Sequence, residues 1–131
     1  MSEFWAVATQ RNAAANATRL FHDARTRDPK AFLFPEFILN QLAYTRLQDG
    51  DTDDAVELFK LNVEAYPTSS NAQDSLADGY AARGQNDLAI AAEQKCLDLL
   101  PSDRINDQFK ATLRQAAEQK IARLKAKSFE Y

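Results

Sequence analysis

EFILNQLAYTRLQDGDTDDAVELFKLNVEAYP (residues 36–67) and SNAQDSLADGYAARGQNDLAIAAEQKCLDLLP (residues 70–101) are one pattern written twice. Leu42, Ala43, Gly50, Ala55, Phe59 and Pro67 of the first copy stand 34 residues before Leu76, Ala77, Gly84, Ala89, Glu93 and Pro101 of the second. Small residues recur where two helices have to approach closely, glycine where a turn needs positive φ, and proline after the second helical stretch. Each copy therefore reads as a pair of helices joined by a short turn. Such pairs bury their apolar faces by stacking on neighbours.

In the first copy Ile38, Leu39, Leu42, Ala43 and Leu47 recur at helical spacing, which predicts a helix from Pro35 to Gln48 closed by Asp49-Gly50-Asp51. Proline suits a first turn because its missing donor would go unpaired there. A second helix is predicted from about Thr52 to Ala65, with Asp53 and Asp54 in the first turn, where anions suit the helix dipole. The second copy gives helices from about Ser70 to Ala82 and from about Asn86 to Leu99.

Outward from the repeats, Ser2 is a candidate N-cap. Ala13 to Ala17, with Leu20, Phe21 and Ala24, read as helix up to about Arg27, where Asp28-Pro29 stops it. Ala17, Phe21, Ala24 and Pro29 have the spacing of a repeat's second helix, so the segment reads as half a repeat. The step from Ala17 to Ala55 is 38, not 34, which places about four inserted residues around the apolar linker Phe32-Leu33-Phe34. At the other end Ser102 or Asp103 is expected to cap a last helix running to about Ala126. Its Ile105, Phe109, Leu113, Ala117, Ile121 and Leu124 form one stripe, and Lys110, Arg114, Lys120, Arg123 and Lys127 populate the wet side. The expected organisation is an N-terminal half-repeat (1–34), two units (35–101) and a C-terminal capping helix (102–131), all one all-α structural domain.

The two copies resemble the tetratricopeptide repeat (TPR). That family's pattern is met in the second copy by Leu76-Ala77, Tyr80, Gly84, Ala89, Cys96 and Pro101, and in the first by Leu39, Leu42-Ala43, Gly50, Ala55, Phe59 and Pro67. The departures are Arg46 in place of tyrosine, Asn62 in place of a small residue, Gln73 in place of the first large apolar residue, and Glu93 in place of the aromatic. The resemblance implies a short solenoid that binds a protein or peptide on its concave face. The exposed concave positions would be Phe37, Asn40, Tyr44 and Leu47, then Asn71, Asp74, Asp78 and Ala81. The implied groove has an aromatic half and an acidic half, suited to a segment with an apolar anchor and a basic group. Alternatively Phe37, Tyr44 and Leu47 pack against the preceding helix and its linker. Lysine and arginine are absent from these positions, so the TPR clamp on chaperone C-terminal carboxylates is not expected. Because two and a half repeats are few for a solenoid, Phe4, Trp5 or the last helix is expected to contribute to a homodimer.

Pro35-Glu36, the run from Leu39 to Tyr44, the run from Ala55 to Val63, Tyr66-Pro67 and the run from Asn71 to Ala77 are also similar to the TPR tails that follow bacterial esterase-like serine hydrolase domains. This second resemblance implies an accessory role beside a catalytic part that would precede Met1. None of that family's catalytic residues has a counterpart in this sequence.

Composition narrows the classes further. No segment supplies the about 20 apolar residues that span a bilayer, and Phe4-Trp5-Ala6-Val7-Ala8 is too short for a secretory core. A soluble chain is expected. Cys96 is the single cysteine, which excludes an internal disulfide and fits either a reducing compartment or indifference to redox; a cytoplasmic setting is expected. The net charge of −3 divides into +2 over residues 1–35, −8 over 36–101 and +3 over 102–131. An acidic middle argues against nucleic acid as partner. Chemistry is not expected either. His22 has only Asp23 beside it, which points elsewhere on a helix, so no metal is anticipated. Cys96 occupies a small buried place, no serine sits in a G-x-S-x-G element, and Gly79 and Gly84 form no phosphate loop. Neither catalytic residues nor a cofactor is expected.

Overall fold

A computed structural model describes residues 2–10 and 13–127. The described residues form seven α-helices and one 3₁₀ turn and contain no strand: α1 (Ser2–Ala8), α2 (Ala14–Arg27), α3 (Glu36–Gln48), α4 (Thr52–Ala65), α5 (Ser70–Ala82), α6 (Asn86–Leu99), the 3₁₀ turn Leu100–Ser102, and α7 (Asp107–Lys127). None of these helices is long and apolar enough to cross a membrane. The chain divides into two compact units at Ala65/Tyr66, the junction between the two copies of the repeat.

In the N-terminal unit α3 packs along α4, α2 against α4, and α1 against α2. Ala43 of α3 and Ala55 and Phe59 of α4 are fully buried. Gly50 ends α3 at φ 86°, and the Asp51 N–H donates to the Arg46 carbonyl at 2.9 Å, closing the helix over a left-handed residue. A side chain there would cost about 1 kcal/mol or more in strain. Pro35 stands one place before the helix as its N-cap, not within its first turn as the sequence predicts.

The N-terminal segment forms two helices, α1 and α2. No glycine or proline marks the break; tertiary contacts make it. Thr9 Oγ1 donates to the Trp5 carbonyl at 2.6 Å as α1 ends, and α2 starts afresh with the Ala14 N–H donating to Asp54 Oδ1 of α4 at 3.0 Å. Phe34 of the linker is buried between the rings of Phe4, 5.0 Å away, and Phe21, 5.8 Å away. The Arg25 guanidinium lies 4.7 Å over Phe21 and donates to the Ala31 carbonyl, tying the linker to α2. Phe32, two residues from Phe34, is 62% exposed. The side chain of Ser2, the candidate cap, lies outside the described part.

In the C-terminal unit α5 packs along α6, and α7 packs on both. Ala77, Ala89, Ala92 and Leu124 form its core, with Tyr80 and Ile90 against them. Gly84 at φ 76° repeats the role of Gly50, with the Gln85 N–H donating to the Tyr80 carbonyl at 2.9 Å. Leu113, Ala117 and Leu124 bury the inner stripe of α7, while Phe109 at its start is exposed. The last helix starts at Asp107 and not near Asp103. Asn106 Oδ1 accepts from the Phe109 N–H at 2.7 Å and so caps it. Asp103 serves a different helix: its Oδ2 accepts from the Ser70 N–H at 2.8 Å and the Ser70 hydroxyl at 2.6 Å, at the start of α5.

Candidate functional site

The four residues at which the chain departs from the TPR pattern, Arg46, Asn62, Gln73 and Glu93, are all buried polar groups. Arg46 reaches out of α3 to donate to the Thr9 carbonyl and lies 3.5 Å from Asp54, both side chains nearly fully buried. A tyrosine there would leave Asp54 without a cation. Asn62 is buried and donates to the Glu36 carbonyl at 3.1 Å, joining the end of α4 to the start of α3.

The residues expected along the groove do not share one environment, and they fall in two separate units. On α3, Phe37 is 67% exposed and Ile38 beside it 44%. Tyr44 is half-buried with its ring 4.9 Å from Phe59, edge on, and Asn40 and Leu47 are half-buried. Internal packing therefore accounts for Tyr44 but not for Phe37. On α5, Asn71, Asp78 and Ala81 are half-buried, whereas Asp74 is buried and not an exposed groove position.

What covers the α5 face is Lys120 of α7. Its ammonium lies 3.0 Å from Asp74, 3.1 Å from Asp78 and 3.9 Å from Glu93, with the side chain only 25% exposed. Sequence reading placed Lys120 on the wet side of α7. The i, i+3, i+7 run Ala117, Lys120, Leu124 puts it on the inner stripe, and the Asp74 and Asp78 carboxylates make that burial tolerable. Burial acts first to lower the Lys120 pKa, but the Asp74 and Asp78 carboxylates outweigh it and raise it overall.

Glu93 forms the floor and has no exposed surface. No N–H or hydroxyl reaches either carboxyl oxygen, and Lys120 stands beyond hydrogen-bond distance. The Asp74 carboxyl group is the nearest acidic neighbour of Glu93. Burial first, then the hydrogen bond to Asp74 and its charge, push the Glu93 carboxyl up to about 9. Beside this cluster is a cleft of about 160 Å³ floored by Ala77, Ala81, Glu93 and Leu124 and rimmed by Asp78, Lys120, Arg123 and Lys127.

Reactive groups elsewhere are spoken for. Cys96 is buried next to this cluster, and burial followed by the charges of Asp74 and Glu93 pushes its thiol up to about 12, far from a thiolate at neutral pH. His22 Nε2 lies 2.7 Å from Glu64 of α4, an exposed pair that the sequence did not single out. No group of three His, Cys, Asp or Glu side chains able to hold a metal occurs among the described residues. Phe4, expected at a self-association surface, is instead enclosed by Trp5 and Phe34, and Trp5 is half-buried. The sequence matches no protein-family model, and no curated protein matches it.

Proposed function

We propose that this chain is a non-catalytic, TPR-like module that binds a partner protein through a short segment carrying an apolar anchor. The observation that carries this reading is Phe37. A phenylalanine two-thirds exposed in the first turn of α3, followed by the partly exposed Ile38, presents most of its apolar surface to solvent. It stands at the second position of the repeat, one of those that line the concave face in the TPR family. Rigid aromatic side chains provide large contact area at low entropic cost, which is why they serve as anchors. The proton-holding Glu93, the inert Cys96 and the exposed His22–Glu64 pair supply no nucleophile and no matched acid and base facing one substrate, which agrees with a binding role.

The test is a photo-reactive phenylalanine analogue at position 37 in the producing cell, with position 114 on the exposed side of α7 as control. A discrete adduct specific to position 37 identifies the partner. The purified partner should then bind the wild type about tenfold more tightly than Phe37→Ala. Equal affinity for the two proteins refutes the assignment, as does an adduct that forms equally at position 114.

A further inference from the structure

The C-terminal unit carries its own example of what its α5 face accepts. On α7 the run Ala117, Lys120, Leu124 is the buried side: it brings one ammonium group to Asp74 and Asp78 and seats Leu124 beside Ala77, Ala89 and Ala92, with Ala117 fully buried. Two features say that this seat is a charge-selective site and not ordinary core. The acids come from α5 at helical spacing, Asp74 and Asp78, so they converge on one point outside the helix. Beneath that point Glu93 is fully buried with no donor from the protein reaching either oxygen. A hydrophobic residue at position 93, as Phe59 is at the equivalent place in the first copy, would fill the space without this arrangement. The ammonium lies closer to Asp74 and Asp78 than to Glu93, so it is the α5 pair that grips it.

We propose that the Asp74–Asp78 face of α5 is a binding site for a lysine-bearing helical segment of a partner protein, and that α7, through Lys120, is the intramolecular occupant that masks it. The partner's chemistry follows from the occupant: a basic side chain with a small apolar residue three positions before it and leucine four positions after. The cleft beside the cluster, open past Ala81 and rimmed by Asp78 and Lys127, is where such a segment begins to displace the C-terminal half of α7. The inference rests on the reading of this chain as a partner-binding module. It concerns the C-terminal unit alone, so a failed cross-link at position 37 leaves it standing and its own failure leaves Phe37 untouched.

The probe is a labelled, end-blocked peptide with the sequence of residues 113–127, added to the full chain. Lys120→Glu reverses the charge facing three carboxyl groups and frees the C-terminal half of α7. The peptide is expected to bind Lys120→Glu with a Kd below about 100 µM and the wild type at least about tenfold more weakly. Adding Asp78→Asn to Lys120→Glu should abolish the gain, and so should a peptide with methionine in place of its lysine. Folded Lys120→Glu protein that does not bind the peptide overturns the proposal, and so does equal binding of the methionine peptide. If Lys120→Glu does not fold, Lys120→Met carries the test by hydrogen exchange. The amides of residues 118–125 should then exchange about tenfold faster while those of α5 and α6 are unchanged. Unchanged exchange in α7 overturns it.

Discussion

Replacing Glu93 by glutamine keeps the shape of a protonated carboxyl group and removes its ability to ionise. In the unfolded chain a glutamate loses its proton near 4.5, whereas the folded protein holds this one up to about 9. Between those values the folded state carries one proton more than the unfolded state, so wild-type stability falls as pH rises, by about 1.4 kcal/mol per pH unit. The contribution is complete below 4.5 and gone once the pH passes about 9. From pH 5.5 to 7.5 the wild type should therefore lose about 3 kcal/mol relative to Glu93→Gln, a large part of the 5–15 kcal/mol that a domain of this kind has. Asp74, Asp78, Cys96 and Lys120 surround the site in both proteins, so subtraction removes most of their effect. Urea unfolding at half-unit pH steps followed by circular dichroism gives the two curves. Trp5 fluorescence supplies a control, because that residue lies in the N-terminal unit and should not follow the difference. Parallel stability curves for the two proteins would show that Glu93 is ionised in the folded state and would refute the assignment of its proton.

Three further outcomes follow from the buried polar contacts. Asp54→Ala removes the cap on α2 and leaves Arg46 buried without its anion, and should destabilise the N-terminal unit by about 3 kcal/mol, read by Trp5 fluorescence in urea. Asp54→Leu combined with Arg46→Met should cost less than either single change, since no charge is then left alone. Burial of Asp103 opposes its charge, but the hydrogen bonds from Ser70 overcome this and hold its pKa below 3.8. Its stabilisation is therefore present above 3.8 and lost as the pH falls through the lowered value, so the cost of Ser70→Ala, about 1 kcal/mol near neutrality, should shrink in acid denaturation. Cys96 should react with a disulfide reagent at pH 8 at least about a thousandfold more slowly in the native chain than in urea, and fast native labelling would contradict its burial.

The helices between Glu36 and Leu99 were legible because their signals are local. Gly50 and Gly84 supply positive φ, Ala43 and Ala77 are buried small residues, and Pro67 and Pro101 follow the second helices. The break after Ala8 was not, because it depends on Asp54, forty residues from the N–H it accepts, and on Phe34 drawing Phe4 inward. The start of α7 was misplaced for a similar reason: Asp103 has the composition of a cap but is engaged by Ser70, and Asn106 takes the role. At the α5 face, Glu93 stood out in the sequence as a break in the pattern. Its meaning required Lys120, which residue type alone assigns to solvent. The sequence leaves Phe37 open between anchor and packing, and its exposure depends on neighbours that residue type alone does not reveal.

Asp54 and Asp103 each start a helix that lies earlier in the chain, α2 and α5 respectively. During synthesis the first turns of those helices emerge well before the carboxylates that fix them. Each lacks that long-range contact until the ribosome has added 40 residues in one case and 33 in the other. Until then α5 is held only by its local cap, the Ser69 hydroxyl accepting from the Ala72 N–H, and each helix start must be outside the exit tunnel together with its carboxylate before the contact forms.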